Sequence, residues 1–218
     1  NYSFSYTPGS VTDIADITAR ALTMSSITAD NKVYNGTTTA SLSGYSFDDA
    51  IGGDSLSITY GATFNNKNVG TNKTVTLNSA SLTGSDAGNY SFSYTPGSVT
   101  DIADITPKAL SITGLSGVNR VYDATTVASL SGTATANVLD LQGSDAVTIN
   151  GKYSASFDDK NVGNTKAITV TGYTISDTNY SLSQPDTLTA NITPKSLRIT
   201  GISGVNRVYD ATTVASLS

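Results

Sequence analysis

Apolar and polar residues alternate along this chain over short stretches, and Gly, Asn and Asp interrupt the alternation at roughly 8- to 12-residue intervals. From Pro107 the pattern gives Ala109-Leu110-Ser111-Ile112-Thr113-Gly114, a short strand with Leu110 and Ile112 on one face, then a polar turn through Asn119. Val121-Tyr122-Asp123-Ala124 and Thr126-Val127-Ala128-Ser129-Leu130 follow. Ala146 to Asn150 and Tyr153 to Phe157 predict a hairpin closed at Asn150-Gly151, the strongest short turn signal present. The loop 158–166 separates it from Ala167-Ile168-Thr169-Val170, and Tyr180 with Leu182, then Leu188, Ala190 and Ile192, supply two closing strands. About seven short strands of this kind predict an all-β fold with two packed sheets, an immunoglobulin-like sandwich. The matching core positions are Val75, Leu77, Tyr90 and Phe92, and again Ile168, Val170, Tyr180 and Leu182.

The pattern repeats. Residues 1–18 return letter for letter at 89–106, a period of 88 residues (89 − 1). The stretch after them, 17–44, recurs more loosely at 105–132 and a third time from Ile192 to Ser218. A unit of this length exceeds a solenoid coil of about 20 to 45 residues and is large enough for its own core. The expected organisation is the C-terminal strands of one repeat (1–18), two complete modules (19–106 and 107–193), and the N-terminal part of another (194–218). These modules are expected as tandem sandwiches arranged end to end. No Gly/Ser linker separates Ile105 from Ala109, and Pro107 and Pro194 fix φ at the junctions, so the joints are expected to be stiff.

Two sequence details bear on packing. Asp86-Ala87-Gly88-Asn89-Tyr90-Ser91-Phe92 has the spacing of a tyrosine corner, in which the ring enters the end of the core and the hydroxyl bonds backbone near the preceding corner. Asp177-Thr178-Asn179-Tyr180-Ser181-Leu182 has the same form, and an ordinary strand-edge tyrosine is the alternative in both places.

Composition narrows the chemistry. The chain has 218 residues, a net charge of −5, no Cys, no His and no Glu, so its 17 acidic residues are all Asp. No basic stripe is present to release counterions from a phosphate backbone, which argues against nucleic acid. Without Cys or His, thiolate and imidazole metal sites and Ser-His-Asp or Cys-His catalysis are closed. Asp48-Asp49 and Asp158-Asp159 are the only carboxylate pairs for glycoside chemistry, but strand neighbours point to opposite faces and Asn65-Asn66 replace the second pair in the first module. We therefore expect no enzyme. Gly70-Thr71-Asn72-Lys73-Thr74 lacks the Gly before Lys that a phosphate loop needs and reads as a turn. No cofactor is expected, with calcium as the single candidate: Asp54, Asp145, Asp158 and Asp159 offer hard oxygen ligands, against the alternative that Asp serves the turns themselves. No apolar run is long enough for a membrane span.

Lys32-Val33-Tyr34-Asn35-Gly36-Thr37-Thr38 and Arg120-Val121-Tyr122-Asp123-Ala124-Thr125-Thr126 resemble the signature of the YDG repeats of bacterial surface proteins. Gly88-Asn89-Tyr90, Phe157-Asp158-Asp159-Lys160-Asn161-Val162-Gly163 and Ile192-Thr193-Pro194-Lys195 match further stretches, so the resemblance covers essentially the whole chain in order. It departs at Asn35, at Ala124 and Ala211, and at Asn65-Asn66, which argues against a universal catalytic or metal role there. The resemblance implies a mostly-β module of very large exported adhesins similar to filamentous haemagglutinin and other two-partner-secreted exoproteins. The function expected from it is a stalk or spacer at the cell surface or in a biofilm fibre, with neighbouring repeats, other copies in a fibre, or matrix glycans as partners. The rival is a binding module whose Tyr34 and Tyr122 loops receive a glycan or protein. Exposure of those rings separates the two.

Overall fold

The computed structural model describes residues 1–5, 7–9 and 12–218. Its strands are, in chain order, β1 (Arg20–Ala29), β2 (Lys32–Val33), β3 (Leu42–Asp48), β4 (Ser57–Phe64), β5 (Gly70–Thr83), β6 (Tyr90–Ser93), β7 (Thr100–Thr106), β8 (Lys108–Leu110), β9 (Ile112–Gly117), β10 (Arg120–Val121), β11 (Leu130–Ala136), β12 (Ser154–Phe157), β13 (Gly163–Thr171), β14 (Tyr180–Leu182) and β15 (Leu188–Thr193). One 3-10 turn, Ala87–Asn89, precedes β6, and no α-helix occurs among the described residues. The all-β expectation holds. β-Branched and aromatic residues suit a pleated, half-buried surface, and Asn, Asp and Gly interrupt it before a helix can form.

The chain forms two compact units. The first takes in residues 1–110 together with two excursions of the second repeat, Asp140–Ala146 and Asp177–Ser181. Its strands make one sheet in the order β3-β1-β6 and another in the order β2-β7-β5-β4. β1 pairs antiparallel with β3 and parallel with β6. Leu22 and Met24 on β1 are buried at the expected spacing of two, but the next buried residue is Ile27. A register shift between Met24 and Ser26 inserts the extra residue and moves the alternation by one. On β5, Val75 and Leu77 are fully buried.

The second unit comprises residues 111–139, 147–176 and 182–218. It repeats the strand order: β11 on β9, and β10-β15-β13-β12. Ile112 from the smaller sheet and Ala155, Phe157, Ile168, Val170, Ala190 and Ile192 from the larger one share a single apolar cluster. β8 and β9, parted at Ser111, occupy the sequence place of the continuous β1. Of the expected core residues Phe92 and Leu182 are only half-buried, while Tyr90, Val75, Leu77, Tyr180, Ile168 and Val170 are buried.

The Asn150-Gly151 hairpin is not formed. β12 pairs instead with β13 across the 158–162 loop. Asn150 exchanges backbone hydrogen bonds with Thr174, at 2.7 and 2.9 Å. Gly151 is required there for another reason: at φ +92° it faces the second strand so closely that a Cβ would lie 2.4 Å from the Gly172 carbonyl oxygen. The same dipeptide chemistry that favours a two-residue turn also admits a close crossing of two backbones, and local sequence does not separate the two. Among the described residues, 1–19 contain no strand, and 194–218 carry one isolated bridge, Gly204 to Leu217.

Candidate functional site

The Tyr-Asp-Gly signature builds a turn. In the first unit the Asn35 side chain accepts hydrogen bonds from the Thr37 amide (3.1 Å) and hydroxyl (3.0 Å), and Lys32 Nζ donates to Asn35 Oδ1 and to the Thr37 and Thr39 carbonyls. In the second unit Asp123 accepts from the Thr125 amide and hydroxyl, both at 2.9 Å, while Arg120 donates to Asp123, Thr125 and Val127. These bonds hold the Asp123 carboxyl below its usual range, the Thr125 amide contributing most. The cation of each turn covers an aromatic ring of its own unit, Lys32 over Phe64 at 5.1 Å and Arg120 over Phe157 at 5.0 Å. Gly36 and Ala124 share the next place at φ +74° and +68°, left-handed backbone that explains why Gly suits the motif and Ala only tolerates it. An Asx turn needs a side-chain oxygen and no negative charge, so Asn35 serves as well as Asp123.

The turn aims its tyrosine inward. Tyr34 is 2% exposed, and its hydroxyl donates to Asp145 Oδ2 at 2.8 Å, 111 residues further along but inside the same compact unit. Tyr180 donates to the same oxygen at 2.9 Å, and the two rings meet edge to face with centroids 5.5 Å apart. The Gln142 amide donates to the Tyr180 oxygen at 2.9 Å, and the Asp145 amide closes that loop on the Gln142 carbonyl at 3.0 Å. Lys67 Nζ stands 3.5 Å from Asp145 Oδ1 and 6.0 Å from the Tyr34 ring centre. Alongside, the Val69 amide donates to Asn179 Oδ1 at 2.9 Å, and the Asn179 carbonyl accepts from the Lys108 amide at 3.0 Å.

Electrostatics follow the geometry. The hydrogen bond from Tyr34 lowers the Asp145 carboxyl, helped by Tyr180 and the Lys67 charge. Burial first, then the Asp145 carboxylate, pushes the Tyr180 phenol up to about 12 and the Tyr34 phenol in the same direction. The Tyr34 hydroxyl and then the Asp145 charge hold the Lys67 ammonium up. The cluster is a clasp with mutually satisfied groups: one carboxylate gathers two phenols and an ammonium.

A second copy of the same clasp has fewer members. Tyr90, at the place in the first repeat that Tyr180 holds in the second, donates to Asp54 Oδ2 at 2.5 Å and accepts from the Ile51 amide at 3.0 Å. The Asp54 amide closes on the Ile51 carbonyl, as Asp145 does on Gln142. The tyrosine-corner expectation is therefore half met. Each ring is buried and its hydroxyl takes a backbone amide, but that amide lies 38 or 39 residues back rather than at the adjacent corner.

The calcium candidates have other work. Asp54 and Asp145 accept hydrogen bonds from tyrosine hydroxyls. Asp158 and Asp159 both reach Lys166, at 3.0 and 2.8 Å, from a loop rather than from opposite faces of a strand. Lys73 occupies the matching place in the first repeat and donates to Asn66 at 2.7 Å. Among the described residues no group of three or more acidic side chains gathers as a metal cage. Sequence reasoning missed Lys67, Gln142 and Asn179. The available signal was the near-equal spacing of Asp54 to Tyr90 and Asp145 to Tyr180, 36 and 35 residues.

A family model for the YDG domain matches residues 18–97 and again 106–188. No curated protein and no solved structure matches the chain.

Proposed function

Because the chain belongs to the YDG domain family, we propose that it is a stalk or spacer segment of a secreted bacterial adhesin or extracellular fibre similar to filamentous haemagglutinin, extending and presenting a distal binding region. The observation that carries this reading is Tyr34: the signature ring is 2% exposed and its hydroxyl is held by Asp145. A glycan- or protein-binding module would keep that ring in solvent, where stacking on a sugar or a partner requires it. Here the signature of the first repeat is consumed by its own turn and by a clasp that draws segments of the second repeat into the unit built on the first. Such a bond network resists separation of consecutive repeats, which is what a load-bearing array needs.

In this reading each repeat is an immunoglobulin-like sandwich, the chain works outside the cell, and it has no catalytic centre or resident cofactor. The support is that the conspicuous Asp residues are engaged by tyrosine, lysine or backbone groups. Arrays of two, four and six repeats test it. Contour length measured on electron micrographs should rise in proportion to repeat number, with no retention on glycan arrays. Length that fails to grow, or glycan retention abolished by Tyr122→Ala, would overturn the stalk reading.

A further inference from the structure

Everything the occupied clasp receives has a counterpart that is not engaged in the same way elsewhere in the molecule. Asp145, Asn179 and Tyr180 receive Tyr34, Lys67 and the Val69 amide. The matching receiving residues in the first repeat are Asp54, Asn89 and Tyr90. Beside them lies a cavity of about 360 Å³, walled by Arg20, Ile51, Asp54 and Asn89 among others. Asn89 is exposed, and the partner the structure gives the Asp54 carboxylate is the Tyr90 hydroxyl. The matching inserting residues in the second repeat are Tyr122, Lys160 and Val162. Tyr122 is half-buried at the base of its turn, its amide bonded to the Thr193 carbonyl at 2.9 Å as the Tyr34 amide is to Thr106 at 2.8 Å. Its hydroxyl has no hydrogen-bond partner among the described residues. Lys160 is exposed and Val162 is 49% exposed.

We infer that the Asp54–Asn89–Tyr90 cavity is a receptor for the Tyr122–Lys160–Val162 surface of a second copy of this chain, joined by the chemistry of the occupied clasp. The phenol of Tyr122 donates to Asp54, Lys160 neutralises the same carboxylate, and the Val162 amide donates to Asn89 Oδ1. A neutral phenol and an ammonium on one carboxylate form a charge-assisted set, stronger than neutral hydrogen bonds of the same number. Because the two surfaces differ, the contact is head to tail and does not close by twofold symmetry, so copies add in open chains. The third signature tyrosine, Tyr209, is 90% exposed, and among the described residues no lysine loop pairs with it, so it serves as the control. This inference goes beyond the stalk reading and does not depend on it. Self-association of the 218-residue chain is measured here, whereas the length of covalent arrays tests the stalk.

Sedimentation velocity of the full chain across a concentration series gives the test. The expected result is concentration-dependent association that weakens as salt is raised. Lys160→Glu, on an exposed side chain, and Asp54→Asn, which leaves Tyr90 an acceptor, should each weaken association at least about tenfold. Tyr209→Phe should leave it unchanged. Mixing the Lys160→Glu chain, whose receptor is intact, with the Asp54→Asn chain, whose inserting surface is intact, should restore association but stop it at one-to-one pairs. A chain that stays monomeric at every concentration overturns the inference. So does association indifferent to Lys160→Glu and Asp54→Asn, association lost with Tyr209→Phe, or a mixture that fails to pair.

Discussion

Tyr34 and Tyr122 stand at the same place in the same turn, three residues before a threonine held by an Asx side chain, yet one is 2% exposed and the other only half-buried. The turns differ little: Lys for Arg, Asn for Asp, Gly for Ala. What differs is the partner. Asp145, 111 residues away, and Tyr180 cover Tyr34 from two segments of the second repeat, whereas Tyr122 leans on the core of its own unit. Local sequence therefore builds the turn and aims the ring, and residues distant in the chain decide whether the ring becomes core. In this chain the signature of the first repeat is a half-interface completed by Asp145 and Tyr180 of the second.

The largest difference should appear on truncating the two rings. Tyr34→Ala removes a buried aromatic and leaves the clasp open, at a cost of about 3–5 kcal/mol in chemical denaturation of the first unit. Tyr122→Ala should cost about 1–1.5 kcal/mol, in proportion to its partial burial. Equal losses at the two positions would show that the clasp adds nothing to the turn.

Acid and alkali should separate the same regions with a smaller effect. The Asp145 carboxyl is depressed in the folded chain, so its stabilisation is present above the unfolded value near about pH 3.9 and is lost as pH falls through the lower folded value. Asp145→Asn should destabilise the first unit by about 1–2 kcal/mol at neutral pH, a deficit that shrinks below about pH 4. Tyr180 has the opposite sign. Its folded value is raised to about 12, so its contribution is full below about pH 10 and disappears as pH rises towards 12. Thermal melts of the parent chain and the Asp145→Asn variant over the acid range check the first statement. A deficit constant down to pH 2 would contradict it.

The smallest effect belongs to the left-handed turn residue. Ala124→Gly should stabilise the second unit by relieving positive φ, and Gly36→Ala should destabilise the first, each by up to about 1 kcal/mol. A Cβ added at Gly36 would meet the Gln142 side chain at 3.4 Å, so the cost there comes from the positive φ. Denaturant midpoints shifting in the same direction for both substitutions would refute the turn account.

How much of this was visible beforehand follows from the range of each interaction. Strand identity and the repeat rest on periods of two and of 88 residues, which a single chain displays directly. The aromatic pair Tyr90 and Tyr180 was legible as buried for the same reason. Asp145 was legible as a conspicuous acid but not in its role, because a carboxylate destined for two phenols and one destined for a cation look alike in one dimension. Lys166 defeats the opposite-face argument for Asp158 and Asp159, because that argument assumes a strand where the chain makes a loop. Asn150-Gly151 failed through ambiguity of a different kind: the dipeptide was read as a tight hairpin turn, whereas the positive φ of Gly151 serves a backbone crossing.

A double-mutant cycle on Tyr34→Phe and Asp145→Ala, read by denaturant unfolding of the first unit, asks whether the signature tyrosine and the following repeat's carboxylate act together. The clasp predicts a coupling of about 1–2 kcal/mol, because deleting either partner already forfeits the bond they share. Losses that simply add, to within about 0.5 kcal/mol, would mean that Tyr34 is an ordinary core ring and that the two repeats are not joined through it.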